Sequence, residues 1–191
     1  MGYSNAETCR WIDKQFEGPS LMPPPGSPSR QDAELAVRVS STVAASCLDV
    51  IGASNHASWT VGTNASQQQL DSFVSACDKL GDIARDSDGP FLLGATPGVA
   101  DMMPWPFVHR ALFCARCFSG FDAMAEGSGL GKHAKTWVAA MRSLDSVQMT
   151  MPDDSLLQQA LEQTGRLDWF DFQTATVDSL HPHLATTAQT A

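Results

Sequence analysis

The chain has 191 residues, 43% of them hydrophobic and 17% charged, and a formal charge of −9 at pH 7. That length fits one domain of roughly 150 residues with an appendage, and the apolar share is large enough for a real core. Twenty-one acidic against twelve basic residues repel a phosphate backbone or an anionic bilayer, which excludes nucleic acid and membrane as primary partners.

The elements predicted from periodicity are helical almost throughout. Asn5 to Phe16 reads as a short helix with a capping box in Ser4 and Glu7. A Pro/Gly/Ser run from Pro23 to Ser29 is a linker candidate, and Arg30 to Ile51 follows as a helix with Val43, Ala44, Cys47, Leu48 and Ile51 at helical steps. The clearest stripe is Leu70, Phe73, Val74, Cys77, Leu80, Ile83 and Ala84, opened by a capping box in Ser66 and Gln69. Further helices are predicted from Gly98 through Arg116, Lys132 to Leu144 and Asp153 to Leu167. Val147, Met149 and Met151 alternate with polar neighbours over too short a run for a sheet strand, so this segment reads as an extended connector. The tail after Phe172 has little periodicity beyond Leu180 and Leu184 and is expected to fray. The fold class is all-α.

The longest apolar runs, such as Ala111 to Ala115, fall far short of the ~18 residues needed to cross a bilayer, and no signal segment opens the chain. Cysteines at 9, 47, 77, 114 and 117 are odd in number and form no secreted disulfide framework, so a reducing compartment, the cytoplasm, is expected.

Cys114 and Cys117 form a Cys-x-x-Cys within a helical pattern, which admits a redox or metal role beside the simpler one of two small thiols on a buried face. His109, His133, His181 and His183 have no metal-ligand spacing, and no metal is expected. Asn64-Ala65-Ser66 matches a glycosylation sequon, but its serine serves better as a helix cap. The chain contains no Gly-rich phosphate loop, no Gly-x-Ser-x-Gly elbow and no paired-carboxylate signature. Between His109 and Arg142, five basic residues (Arg110, Arg116, Lys132, Lys135, Arg142) meet only Asp122 and Glu126, interleaved with Trp105, Phe107 and Phe113. The segment is either a solvated basic face or the wall of a pocket for a small anionic ligand.

Pro90-Phe91-Leu92-Leu93-Gly94, Asp101, Trp105-Pro106-Phe107 and Arg110 together resemble the C-terminal helical domain of the glutathione transferase family. The Trp-Pro-aromatic-x-x-Arg run, Thr8-Cys9 with Trp11-Ile12-Asp13, and Trp137-Val138-Ala139-Ala140-Met141 resemble the omega class in particular. In the family a Ser or Thr caps the buried helix and an Asp three residues on closes the box; here Gly98 takes the cap and Asp101 remains.

The resemblance implies a glutathione transferase C-terminal-domain-like bundle over residues 30–172, a remnant last helix of a thioredoxin-like domain over 1–22, a linker over 23–29 and a flexible tail over 173–191. It implies glutathione as co-substrate, with no tightly bound cofactor, and a small-molecule ligand or glutathione conjugate in a cleft lined by Arg110, Phe107, Leu157 and Thr164. Ser4 and Asn5 fall on the glutathione-contacting pair, and a homodimer is implied by family habit. The complete family form would carry out glutathione-dependent thiol transfer or dehydroascorbate reduction.

No catalytic residue is assigned in this chain. The nucleophile and most of the glutathione site are expected to be missing, so weak or no turnover is expected. The alternative is a non-catalytic helical module for ligand or protein binding. A truncated reading frame would leave Trp11, Ile12 and Phe16 as an exposed apolar patch. A third idea keeps chemistry in the chain through Cys114 with Cys117, or through Cys9 near a helix start.

Overall fold

The computed structural model describes residues 5–18, 20–51, 59–60, 65–152, 154–155 and 166–167. Seven helices account for most of these: α1 (Asn5–Gln15), α2 (Pro28–Ile51), α3 (Gln67–Arg85), α4 (Val99–Met102), α5 (Trp105–Ser119), α6 (Lys132–Ser143) and α7 (Asp145–Thr150). The only strands among the described residues are β1 (Trp59–Thr60) and β2 (Arg166–Leu167), which pair antiparallel with Trp59 opposite Leu167. The fold is all-α.

Helix α3 forms for the reasons its spacing gives. Ser66 caps it, accepting from the Gln69 amide at 3.3 Å, while the Gln69 side chain accepts from the Ser66 amide at 2.9 Å. Its buried stripe, Leu70, Phe73, Ala76, Cys77, Leu80, Gly81 and Ala84, faces the bundle. Helix α5 runs through the centre. Val108, Ala111, Leu112, Phe113, Cys114 and Ala115 are each at most 5% exposed, as expected of a helix apolar on nearly every side. Gly120, left-handed at φ 64°, ends it, and the Phe121 amide returns to the Ala115 carbonyl.

Two predicted elements differ, and a third is described only in part. The helix expected from Gly98 through Arg116 is two helices, because Pro104 has no amide to bond back to Ala100 and its ring crowds the preceding turn. The 145–150 segment is a helical turn, α7, whose inward residue is Val147; it is not an extended connector. The helix expected from Asp153 to Leu167 lies largely outside the described residues: Asp154 and Ser155 near its start are helical, and at its expected end Arg166 and Leu167 are extended. The run 23–29 also ends early, since Pro28 opens α2 in the first-turn position that suits proline.

A second, smaller apolar cluster joins Met22, Ala33, Val37 and Val99, with Cys9, Leu21 and Met103 packed against it. It ties α1 and the chain after it to α2 and α4. The expected capping residue Ser4 and the tail after Phe172 lie outside the described residues.

Candidate functional site

Asp101 is fully buried at the start of α4 and carries three hydrogen bonds. Its Oδ2 accepts from the Gly98 amide at 2.9 Å, and its Oδ1 accepts from the Leu92 amide at 2.8 Å and from Trp137 Nε1 at 2.9 Å. Burial pushes its carboxyl up, and the donors from Leu92, Gly98 and Trp137 oppose that. The expected half of a capping box is therefore present, and it also ties the 90–94 loop and α6 to α4.

Gly98 has no side chain with which to cap, and the structure supplies a substitute. The Leu21 carbonyl accepts from the Val99 amide at 3.0 Å, satisfying one of the orphan donors of the helix start. A Cβ on Gly98 would lie 2.9 Å from that oxygen, so the close approach requires glycine. Leu21 is held in turn by its own amide, which donates to Asp13 Oδ1 of α1 at 2.6 Å. A chain of contacts thus runs from α1 through Leu21 and Gly98 to Asp101 and Trp137.

Next to this node, α5 presents Trp105, Phe107, His109, Arg110 and Cys114. Trp105 lies edge-on to Trp137 at 6.0 Å between ring centroids and 5.5 Å from His109. Phe107 is half-buried against the core. Arg110 is half-buried, and burial pulls its guanidinium down to about 10, with Cys114 acting in the opposite sense. The Cys114 thiol is pushed up to about 11 by burial, which Arg110 opposes and Cys117 reinforces. His109 is pulled down to about 4, first by burial, then by Arg142, Arg110 and Arg116, against the pull of Asp154.

Arg116 pairs with Asp154, and both side chains are about half exposed. Arg142 reaches the same neighbourhood from α6, and its Nε is shut off from solvent with no hydrogen-bond partner among the described residues. The expected basic segment is thus split between elements. Arg110, Arg116 and Arg142 gather around His109, while Lys135 turns away to the Ala125 carbonyl.

The family model of the glutathione S-transferase C-terminal domain matches residues 63–140. The match supports a glutathione S-transferase C-terminal domain over this stretch, which is less than half of the chain. No curated protein matches the chain.

Within the matched stretch fall Asp101, Trp105, Phe107, Arg110 and Trp137, on α4, α5 and α6. The other expected site residues are not brought to it: Ser4, Leu157 and Thr164 lie outside the described residues, and Asn5 is placed only as the first residue of α1. His109 and Arg142 were legible only as part of a basic segment. Their juxtaposition depends on how α6 returns past α5, which local spacing does not encode. Among the described residues no group of three His, Cys, Asp or Glu side chains could hold a metal ion. No described helix is long and apolar enough to cross a membrane.

Proposed function

We propose that this glutathione S-transferase-like domain is omega-like and binds a small-molecule ligand or glutathione conjugate against α5, with Arg110 fixing its polar end and Phe107 its apolar body. Supporting this reading above all is Arg110 itself, a half-buried cation on α5 inside the family match, one step of the helix from the half-buried Phe107. Leu157 and Thr164 complete the cleft in this proposal, and Ser4 and Asn5 touch glutathione as co-substrate. The chain's own part is binding, so glutathione-dependent thiol transfer or dehydroascorbate reduction is slow in it. The setting is cytoplasmic, and self-association as a homodimer belongs to the same proposal.

Calorimetric titration with S-hexylglutathione tests the reading. Binding by the chain, weakened about tenfold or about 1.4 kcal/mol by Arg110→Ala with the helical circular dichroism unchanged, is the expected result. Equal affinity in the variant, or no binding by the chain itself, would refute the Arg110 cleft.

A non-catalytic interaction module is the second reading, favoured by α1 and the residue after it. Trp11 is 59% exposed, Ile12 41% and Phe16 68%, three large apolar side chains on one short stretch of chain. Binding of no glutathione derivative, together with self-association that Trp11→Glu abolishes, would favour it over the first.

A further inference from the structure

The Cys114 and Cys117 pair of α5 is not used by the ligand-binding reading, and its placement suits chemistry of its own. On an α-helix, Cα atoms three residues apart are about 5 Å apart, inside the window of about 4.4–6.8 Å that a disulfide spans. Their Cβ atoms start about 5–6 Å apart, so closing the bond to the usual separation of about 3.5–4.5 Å needs a local shift. The two positions divide that task. Cys114 is 2% exposed and locked in the core, whereas Cys117 is half-buried in the last turn, just before the left-handed Gly120 that ends the helix. The last turn takes up that shift, because its final carbonyls have no onward helical partners, and Phe118 on Phe113 and the Ser119 hydroxyl that accepts from the Ala65 amide move with it.

The charges around the pair are cationic. The Arg116 guanidinium, held by Asp154, also lies against the Cys117 thiol, and Arg110 acts on Cys114 one turn earlier. These arginines counter the helix macrodipole, which at this end disfavours an anion. The remaining thiols are set differently: Cys47 and Cys77 are buried between α2 and α3, and Cys9 is on α1.

We propose that Cys114 and Cys117 form a dithiol exchange site that reduces small anionic disulfides. The Cys117 thiolate attacks one sulfur of the disulfide R–S–S–R. That bond breaks, the first R–S⁻ leaves with the electron pair and takes a proton from water, and Cys117 holds the other half as a mixed disulfide. Cys114 then loses its proton to water and attacks the Cys117 sulfur, releasing the second R–S⁻ and closing the Cys114–Cys117 bond. Two electrons pass from the protein dithiol to the disulfide, which becomes two thiols. Access falls to Cys117 and resolution to Cys114. An anionic disulfide is preferred because Arg116 is half exposed at the entry side.

The test uses the reduced full chain and glutathione disulfide, read by intact mass and peptide mapping. A chain lighter by two hydrogens, with its new bond mapped to Cys114 and Cys117 and two glutathiones released, is expected. Cys114→Ala should retain the mixed disulfide on Cys117, and Cys117→Ser should form neither adduct nor bond at this pair. Arg116→Gln should slow glutathione disulfide at least about fivefold more than neutral hydroxyethyl disulfide. A mixed disulfide on Cys117 that the unaltered chain never resolves, or oxidation confined to Cys9, Cys47 or Cys77, would overturn the proposal. The peptide map of the unaltered chain decides this even if a variant fails to fold, and its outcome is independent of S-hexylglutathione binding.

Discussion

Trp137 Nε1 donates to Asp101 Oδ1 across 2.9 Å in the centre of the bundle, with both side chains at 1% exposure or less. The pair joins α6 to the start of α4. With Leu92 and Gly98 donating to the same carboxylate, three separate stretches of chain depend on one side chain. A buried acceptor answered by three donors is stable while all four groups are present, and loss of the acceptor strands every donor at once.

Asp101→Asn should therefore lower the stability of the chain by about 2 kcal/mol, because its Oδ1 can still accept from Leu92 and Trp137 while the NH₂ in place of Oδ2 faces the Gly98 amide donor to donor. Asp101→Ala should cost about 4 kcal/mol, since it removes both oxygens. Urea unfolding followed by tryptophan fluorescence reads both. An Asn variant with an unshifted midpoint would show that the carboxylate is not what holds α4 to α6.

Gly98→Ser restores the usual capping side chain, and on helix-capping grounds alone it would be neutral or mildly stabilising. The backbone there, φ −131° and ψ −171°, accepts any residue. Space decides the sign instead, because the new Cβ meets the Leu21 carbonyl at 2.9 Å. Either that carbonyl withdraws from the Val99 amide or α4 shifts, so a loss of about 1–2 kcal/mol is expected. Faster hydrogen exchange at the Val99 amide should accompany it, and unchanged exchange would argue against the Leu21 cap.

The same reasoning applies inside α3. Gly81→Ala in an exposed helix would gain about 1 kcal/mol. Here the added Cβ would lie 2.8 Å from the Ala134 backbone nitrogen, where α3 crosses α6. Backbone on both sides cannot yield as a flexible side chain would, so the variant should be destabilised by about 2 kcal/mol in urea unfolding. A stabilised variant would mean the two helices are not in close contact at this point.

Much of the fold was legible because α2, α3, α5 and α6 carry apolar residues at helical spacing, with Ser66 and Gln69 marking one boundary outright. Periodicity did not reveal the break at Pro104, because Met103 and Pro104 keep helical backbone angles and the apolar pattern runs on across them. It also mistook α7, whose six residues are too few to separate a period of 3.6 from one of 2. Asp101 was recognisable as half of a capping box, yet its bond to Trp137 and the cap given by Leu21 are tertiary contacts that no local pattern carries. The gathering of Arg142 and Arg110 about His109 has the same origin, since the two helices that bring them together are separated in sequence by the 120–131 loop.

His109 gives the chain a stability that depends on pH. In the fold it is 9% exposed, and burial with Arg142, Arg110 and Arg116 nearby pulls it down to about 4 from an ordinary value of 6.5, against the one opposing charge of Asp154. The unfolded chain therefore binds a proton at His109 that the folded chain refuses between about pH 6.5 and pH 4. Stability from this group is full above that window and is lost as pH falls through it, by about 3 kcal/mol in all. His109→Gln removes the titration, so between pH 7 and pH 4.5 its urea midpoint should fall less steeply than that of the unaltered chain. Asp101 acts in the opposite sense: its raised carboxyl makes the folded state take up its proton first, which favours the fold as the pH drops towards its titration. The difference between the unaltered chain and the His109 variant isolates the imidazole, because Asp101 is common to both. Parallel pH profiles would mean that His109 takes up its proton alike in the folded and the unfolded chain, with Asp154 offsetting both burial and the three arginines.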